Sequence, residues 1–372
     1  MLRRLPWSCR SQRVRAVAAN PKDTAYPAIV NGTRIEHLNL ALIGISLAAA
    51  LVIPFDLFLL SYAILGPLHY LTEISWLHDR EYYVSGRLEW TPLWLLGLAG
   101  AAFTPGIFGE SPLLFQIPWL GELLFVWRFD IGFLALGVAM ALVVSSKAGV
   151  RVALLLLVLL TLQLYRTEPT FLRVFAVYLP TVIHVFLFTG LFMLRGALQS
   201  RSRWGYVTFI GFLVAATVAS LAPTFEGLTH SDWALENFSS AFQSLTASLL
   251  MDTGLVRADR AFRIDLLAYP KAIPVVRFLA FAYTYHYLNW FSKTSIIGWH
   301  QISATRTALI LAIWIASLGL YAYDYVLGLS WLFLLSFGHV VLEFPLNFRS
   351  VHGIFGELRN RIAPVEPTVG GS

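Results

Sequence analysis

A single cysteine, Cys9, stands in 372 residues. That excludes an internal disulfide, a CxxC redox or metal motif and a four-cysteine iron–sulfur cluster. Charge is equally scarce: Asp, Glu, Lys and Arg make up 13% of the chain, about half of what a soluble domain carries. The formal net charge is +6, and the first 37 residues alone hold seven basic and two acidic side chains. The remainder is nearly balanced, so no basic surface for nucleic acid exists outside this tail. No repeat of fixed period is visible.

What the chain has is apolar length. Hydrophobic residues make up 57%, the mean hydropathy is +0.67, and apolar runs recur from Leu38 to Phe348. This pattern predicts an all-α, polytopic integral membrane helical bundle. About ten transmembrane helices are expected, at 38–53, 57–77, 91–104, 128–145, 150–165, 171–194, 205–222, 273–292, 307–322 and 328–346. The domain division is a basic cytoplasmic tail over 1–37, a transmembrane helical domain over 38–348 and a cytoplasmic C-terminal tail over 349–372.

Residues 1–22 carry Arg3, Arg4, Arg10, Arg13, Arg15 and Lys22, with no acidic residue and no apolar core for a secretory signal. A cytoplasmic tail in a bacterial inner membrane is the preferred reading; an organelle transit peptide has the same composition. With the tail inside, the inner segments contain Arg80 and Arg87, Lys147 and Arg151, Arg195, Arg201 and Arg203, Lys293 and Arg306, then Arg349, Arg359 and Arg361. Each is basic, as the positive-inside rule requires. The loop 105–122 has Glu110 and Glu122 and no Lys or Arg, as an outer loop should. Segment 223–272 begins acidic and ends basic. It is expected to form an outer amphipathic lid, because Phe238-Ser239-Ser240 and Gln243-Ser244 are too polar for a lipid-facing helix.

Ionisable residues inside a span mark a functional site by default. Here they fall at one depth. At 1.5 Å per residue, His69 lies roughly 17 Å down its span, His184 and His286 roughly 20 Å and His339 roughly 17 Å, all on helices running inward. Two of these helices repeat a pattern, His69-xxx-Glu73 and His339-xxx-Glu343. Residues four apart share a helix face, so each pair can offer an imidazole and a carboxylate to one ion. Imidazole suits iron, copper or zinc, and added carboxylate moves the preference toward iron or manganese. His184 reads equally as a core histidine bonded to a carbonyl. His78 and His300 stand at the inner boundary as inner-edge ligands or interfacial anchors beside Trp.

Pro67, just before His69, frees a carbonyl one turn back and is expected to kink the helix beside a cavity. The run Tyr283-Thr284-Tyr285-His286-Tyr287-Leu288-Asn289-Trp290-Phe291 supplies candidate donors to a ligand imidazole in its tyrosines and Asn289. Asn347 is a comparable candidate, whereas Trp290 and Phe291 read as an interfacial belt.

In design, through His69, His184, His286 and His339 presented from separate helices, the chain resembles the histidine-rich, multi-spanning non-haem iron oxygenases of membranes. These include the fatty-acyl desaturases and hydroxylases and the bacterial carotene-cleaving dioxygenases. The HxxxH and HxxHH boxes of the desaturases are absent, and His-xxx-Glu stands in their place. More loosely, the chain resembles the zinc-dependent membrane hydrolases of the ceramidase type.

The resulting expectation is a membrane-bound, metal-dependent oxidoreductase, an oxygenase with non-haem Fe acting on a lipophilic small-molecule substrate drawn from membrane lipid. His69, His286 and His339, with His184 as a fourth, would be metal ligands, and Glu73 and Glu343 would be ligands or catalytic bases. With no cysteine cluster, electrons would come from an external electron donor or from the substrate. The alternatives are a Zn hydrolase, a proton-coupled transporter using the same residues as a relay, a haem carrier with two axial histidines, and a structural subunit.

Overall fold

A computed structural model describes residues 21–84, 89–102, 129–223, 230–257 and 271–362. The expected outer loop 105–122, Cys9 and Arg87 lie outside these residues. Eleven helices of ten residues or more occur among the described residues, and no strand does. They are α1 (Pro21–Val52), α2 (Pro54–Asp79), α3 (Thr91–Ala102), α4 (Ile131–Val144), α5 (Ala148–Tyr165) and α6 (Pro169–Ser200), followed by α7 (Arg203–Leu221), α8 (Asp232–Asp252), α9 (Ala272–Ser292), α10 (Ala304–Tyr323) and α11 (Tyr325–Ile362).

Each expected apolar run overlaps one of these helices. Seven of them, α1, α2, α5, α6, α7, α10 and α11, contain stretches long and apolar enough to cross a bilayer, and the protein is an integral membrane protein. Within the described residues α3 and α4 cover 12 and 14 positions, fewer than the roughly 20 a full crossing needs. Helix α9 has the length without the hydropathy, because Arg277, Thr284, His286 and Asn289 interrupt it. These residues are buried, as are Tyr283, Tyr285 and Tyr287. A helix enclosed by protein has no need of an apolar lipid-facing side.

Two helices run past the expected limits of the transmembrane domain. Helix α1 starts at Pro21. Helix α11 continues to Ile362, and its C-terminal end is held by protein: Arg361 donates to the Leu198 carbonyl at 2.8 Å and to the Tyr206 hydroxyl at 2.9 Å.

Helix α8 lies in the segment expected to be a lid. Its N-cap Ser231 donates to Asp56, at the start of α2, at 2.6 Å. At its other end Asp252 receives Arg173 and Tyr178, near the start of α6, at 2.8 and 2.6 Å. Helix α8 therefore begins and ends at the same end of the bundle. It packs Phe238 and Phe242 on Phe58 of α2 and Trp233 on Tyr325 of α11, and it also touches α9. Helices α2, α6 and α11 thus all start beside α8.

Both α2 and α6 widen to π-helical geometry, over Ser61–Leu65 and Val174–Phe188. A proline accounts for each: Pro67 and Pro180 lack an N–H, so the carbonyl a turn earlier loses its partner and the ladder shifts. His69 and His184 stand within one turn of these prolines. Helix α3 crosses α11 closely, and a methyl on Gly97 would sit 3.4 Å from the Gly338 Cα.

Candidate metal centre

His69 of α2, His184 of α6, His286 of α9 and His339 of α11 converge. One ring nitrogen from each lies within 4.8 Å of the other three, and all four side chains are buried. The Nε2 atoms of His69 and His286 are 3.0 Å apart, and so are those of His184 and His339. An ion held by these residues would sit about 2.1 Å from each nitrogen. The rings therefore need only a small inward movement to share one ion.

The outward-facing nitrogens show what orients the rings. His286 Nδ1 is 2.7 Å from Thr189 Oγ1, and His339 Nδ1 is 3.3 Å from the Leu335 carbonyl. With Nε2 ligating, each Nδ1 carries the proton and donates it to that oxygen. His184 Nδ1 stands 2.9 Å from Glu343 Oε2 without hydrogen-bond alignment. Glu73 is placed differently: its Oε2 is 3.0 Å from Nε2 of His69, the nitrogen that faces His286. Glu343 thus stands behind a ring, while Glu73 stands on the ligating side.

Glu73 and Glu343 are 3% and 2% exposed, and neither forms an ion pair with a Lys or Arg among the described residues. Two carboxylates at this depth with only imidazoles for company are costly. A divalent cation between the four rings would balance their charge; around it His69 Nδ1, His184 Nδ1 and Glu343 Oε2 are buried without a hydrogen bond.

Aromatic side chains wall the site. Tyr70 stacks on His339 with ring centroids 4.2 Å apart, and its hydroxyl meets that of Tyr287 at 2.6 Å. Trp290, expected in an interfacial belt, turns inward instead: its ring stands edge-on to that of His69, with centroids 5.5 Å apart, and its N–H donates to Thr72. Asn289 and Asn347 do not reach the imidazoles; both are buried, and Asn289 Oδ1 and the Asn347 amide lack partners.

His78 and His300 do not join the group; both are exposed. For His78 the reason is helical geometry, since nine residues beyond His69 is two and a half turns, placing it about 13 Å further on and on the opposite face. His300 lies in the turn after α9, beside Trp299. Thr189 was missed by sequence reasoning because it sits in an apolar run with no signal except its position five residues after His184, the repeat of a π-helical turn.

Two cavities meet at this layer. One, of about 630 Å³, lies under α8 and reaches His184, His286 and His339 between apolar and tyrosine walls. The other, of about 1010 Å³, lies toward the ends of the helices away from α8 and reaches His69, His286, Glu73 and Glu343. His286 lines both. No protein-family model, curated protein or solved structure matches the chain.

Proposed function

We propose that this protein is a membrane metalloenzyme, a non-haem iron oxygenase in which His69, His184, His286 and His339 hold the metal and a lipophilic substrate enters the cavity under α8. The observation that carries the reading is the convergence of four buried imidazoles beside two carboxylates that have no Lys or Arg partner. Iron accepts six ligands, so four imidazoles leave positions open, whereas tetrahedral zinc with four histidines would be closed to a catalytic water. A porphyrin fills four positions itself and would take only two of the histidines.

When bound, iron supplies the reactivity toward dioxygen. The protein's own groups do the rest. Tyr62, Phe242, Phe333 and Phe337 line a cavity of the size and polarity that buries a hydrocarbon ligand. Thr189 holds the ring of His286 from behind, Glu343 faces the outer nitrogen of His184, and Glu73 can hold a proton beside His69 Nε2. Electrons beyond those of the substrate would come from an external donor.

The test is element-resolved metal analysis of detergent-purified wild type beside a His69→Ala/His339→Ala variant. The expected result is about one equivalent of iron, lost in the variant. Zinc lost in the same way redirects the reading to a hydrolase. Metal in neither sample overturns the metalloenzyme and favours a proton-coupled transporter, which the two cavities on either side of a buried His/Glu layer would serve.

A further inference from the structure

The cavity away from the lid has a second feature that the metal centre does not use. Its mouth is cationic: Arg195 from α6, Arg201 and Arg203 from the α6–α7 corner and Lys293 at the end of α9 all line it. Arg201, Arg203 and Lys293 make no ion pair with any described residue. Arg195 donates one N–H to Ser350 and keeps a buried Nε without a partner. The first turn of α7, capped by Ser202, opens at the same mouth and adds free backbone N–H groups and the positive end of its dipole. Against these stand Glu36 at the mouth side and, at the deep end, Glu73 and Glu343 beside the histidines.

Positive-inside topology explains basic residues near helix ends. It does not require them to line one cavity that leads to the buried histidines. Lys293 is seven residues past His286, two turns on the same helix face and about 10 Å further along. Between the two levels the walls are mostly apolar, with Phe192, Met193, Trp290 and Leu346, and carry the amides of Asn39 and Asn289 as well.

We propose that this cavity binds the anionic head group of an amphiphile whose hydrocarbon chain runs past His286 toward the cavity under α8. The assignment rests on the metalloenzyme reading only for its consequence: the centre would act on the chain at a position set by its distance from the head group, and not on the head group itself. The shared chemistry is a carboxylate or phosphate on a single long chain.

The experiment compares oleate, oleyl phosphate and oleyl alcohol, which share one chain, for binding to the full-length protein in a neutral detergent at low salt. At least one anion should bind about tenfold or more tightly than the alcohol, an advantage that salt erodes. Preference for oleate identifies a carboxylate head and preference for oleyl phosphate a phosphate head. Lys293→Gln/Arg203→Gln should abolish the advantage, leaving alcohol binding and metal content unchanged. Equal binding of all three ligands by wild type overturns the proposal, as does an anion preference that survives in the double variant. An anion preference in a wild type that holds no metal keeps the head-group site and removes only the metalloenzyme reading.

Discussion

Within the four-histidine group the side chains do not play equal parts, and their positions separate them. His339→Ala removes a converging nitrogen and is expected to abolish metal retention. Glu343, behind His184, acts on affinity through the ring it faces, so Glu343→Gln should weaken metal binding by about 10–100-fold without abolishing it. A loss as complete as that of His339→Ala would make Glu343 a ligand. Thr189 gives a sharper case. Thr189→Val preserves shape and removes the side-chain partner that His286 Nδ1 has among the described residues, leaving a buried nitrogen whose desolvation costs about 1–3 kcal/mol when unpaired. Metal affinity should fall by a similar 10–100-fold and recover in Thr189→Ser. Titration of the apo-proteins with a competing chelator reads all of these, and equal affinities in Thr189→Val and wild type would remove Thr189 from the site.

Among the helices, α8 is the one tied at both ends by polar side chains of its neighbours. It roofs the smaller cavity with Ser240, Ala241, Phe242, Ser244 and Leu245, and polar latches hold both of its ends. Asp56 holds Ser231 at one end, and Arg173 with Tyr178 holds Asp252 at the other. Asp252 and Arg173 keep about a quarter of their side-chain surface, so each latch is worth at most about 1 kcal/mol. Asp252→Asn should therefore speed hydrogen exchange in α8 by no more than about fivefold, with metal content unchanged. Partial burial acts to raise the Asp252 carboxyl, but the hydrogen bonds from Arg173 and Tyr178, with the guanidinium charge, outweigh it and hold the group below its ordinary value. A depressed carboxylate contributes stability above its unfolded pKa, near 4, and loses it as the pH falls through the folded value. Exchange in α8, corrected for the intrinsic rate, should stay flat from about pH 5 to 8 and rise only below about pH 4. A rise centred near neutrality would mean that another group controls the lid.

For the whole molecule, the sequence made the helices readable because lipid demands apolar length, and it made the histidine layer readable because 1.5 Å per residue converts position into depth. The π-helical stretches were hidden, since a proline announces a disturbed ladder without saying how many residues the turn takes up. With them went the facing of Thr189 and the inward turn of Trp290. The cationic cavity was hidden because Arg195, Arg203 and Lys293 come from separate helix ends and counted only as markers of side. Their side now has a geometric consequence. Both ends of α8 are bonded near the starts of α2 and α6. If α8 crossed the bilayer, α9, α10 and α11 would invert relative to α2 and α6, and His286 and His339 would arrive from the opposite direction. The lone thiol makes this measurable. Cys9 should react with a membrane-impermeant maleimide only from the cytoplasmic side. In a Cys9→Ser background, Ser146→Cys in the exposed α4–α5 connection should share that sidedness, and Tyr323→Cys, at a residue 84% exposed before α11, should react only from outside. Ser146→Cys and Tyr323→Cys labelled from one side would place α8 across the membrane and break the parallel arrangement on which the four-histidine centre depends.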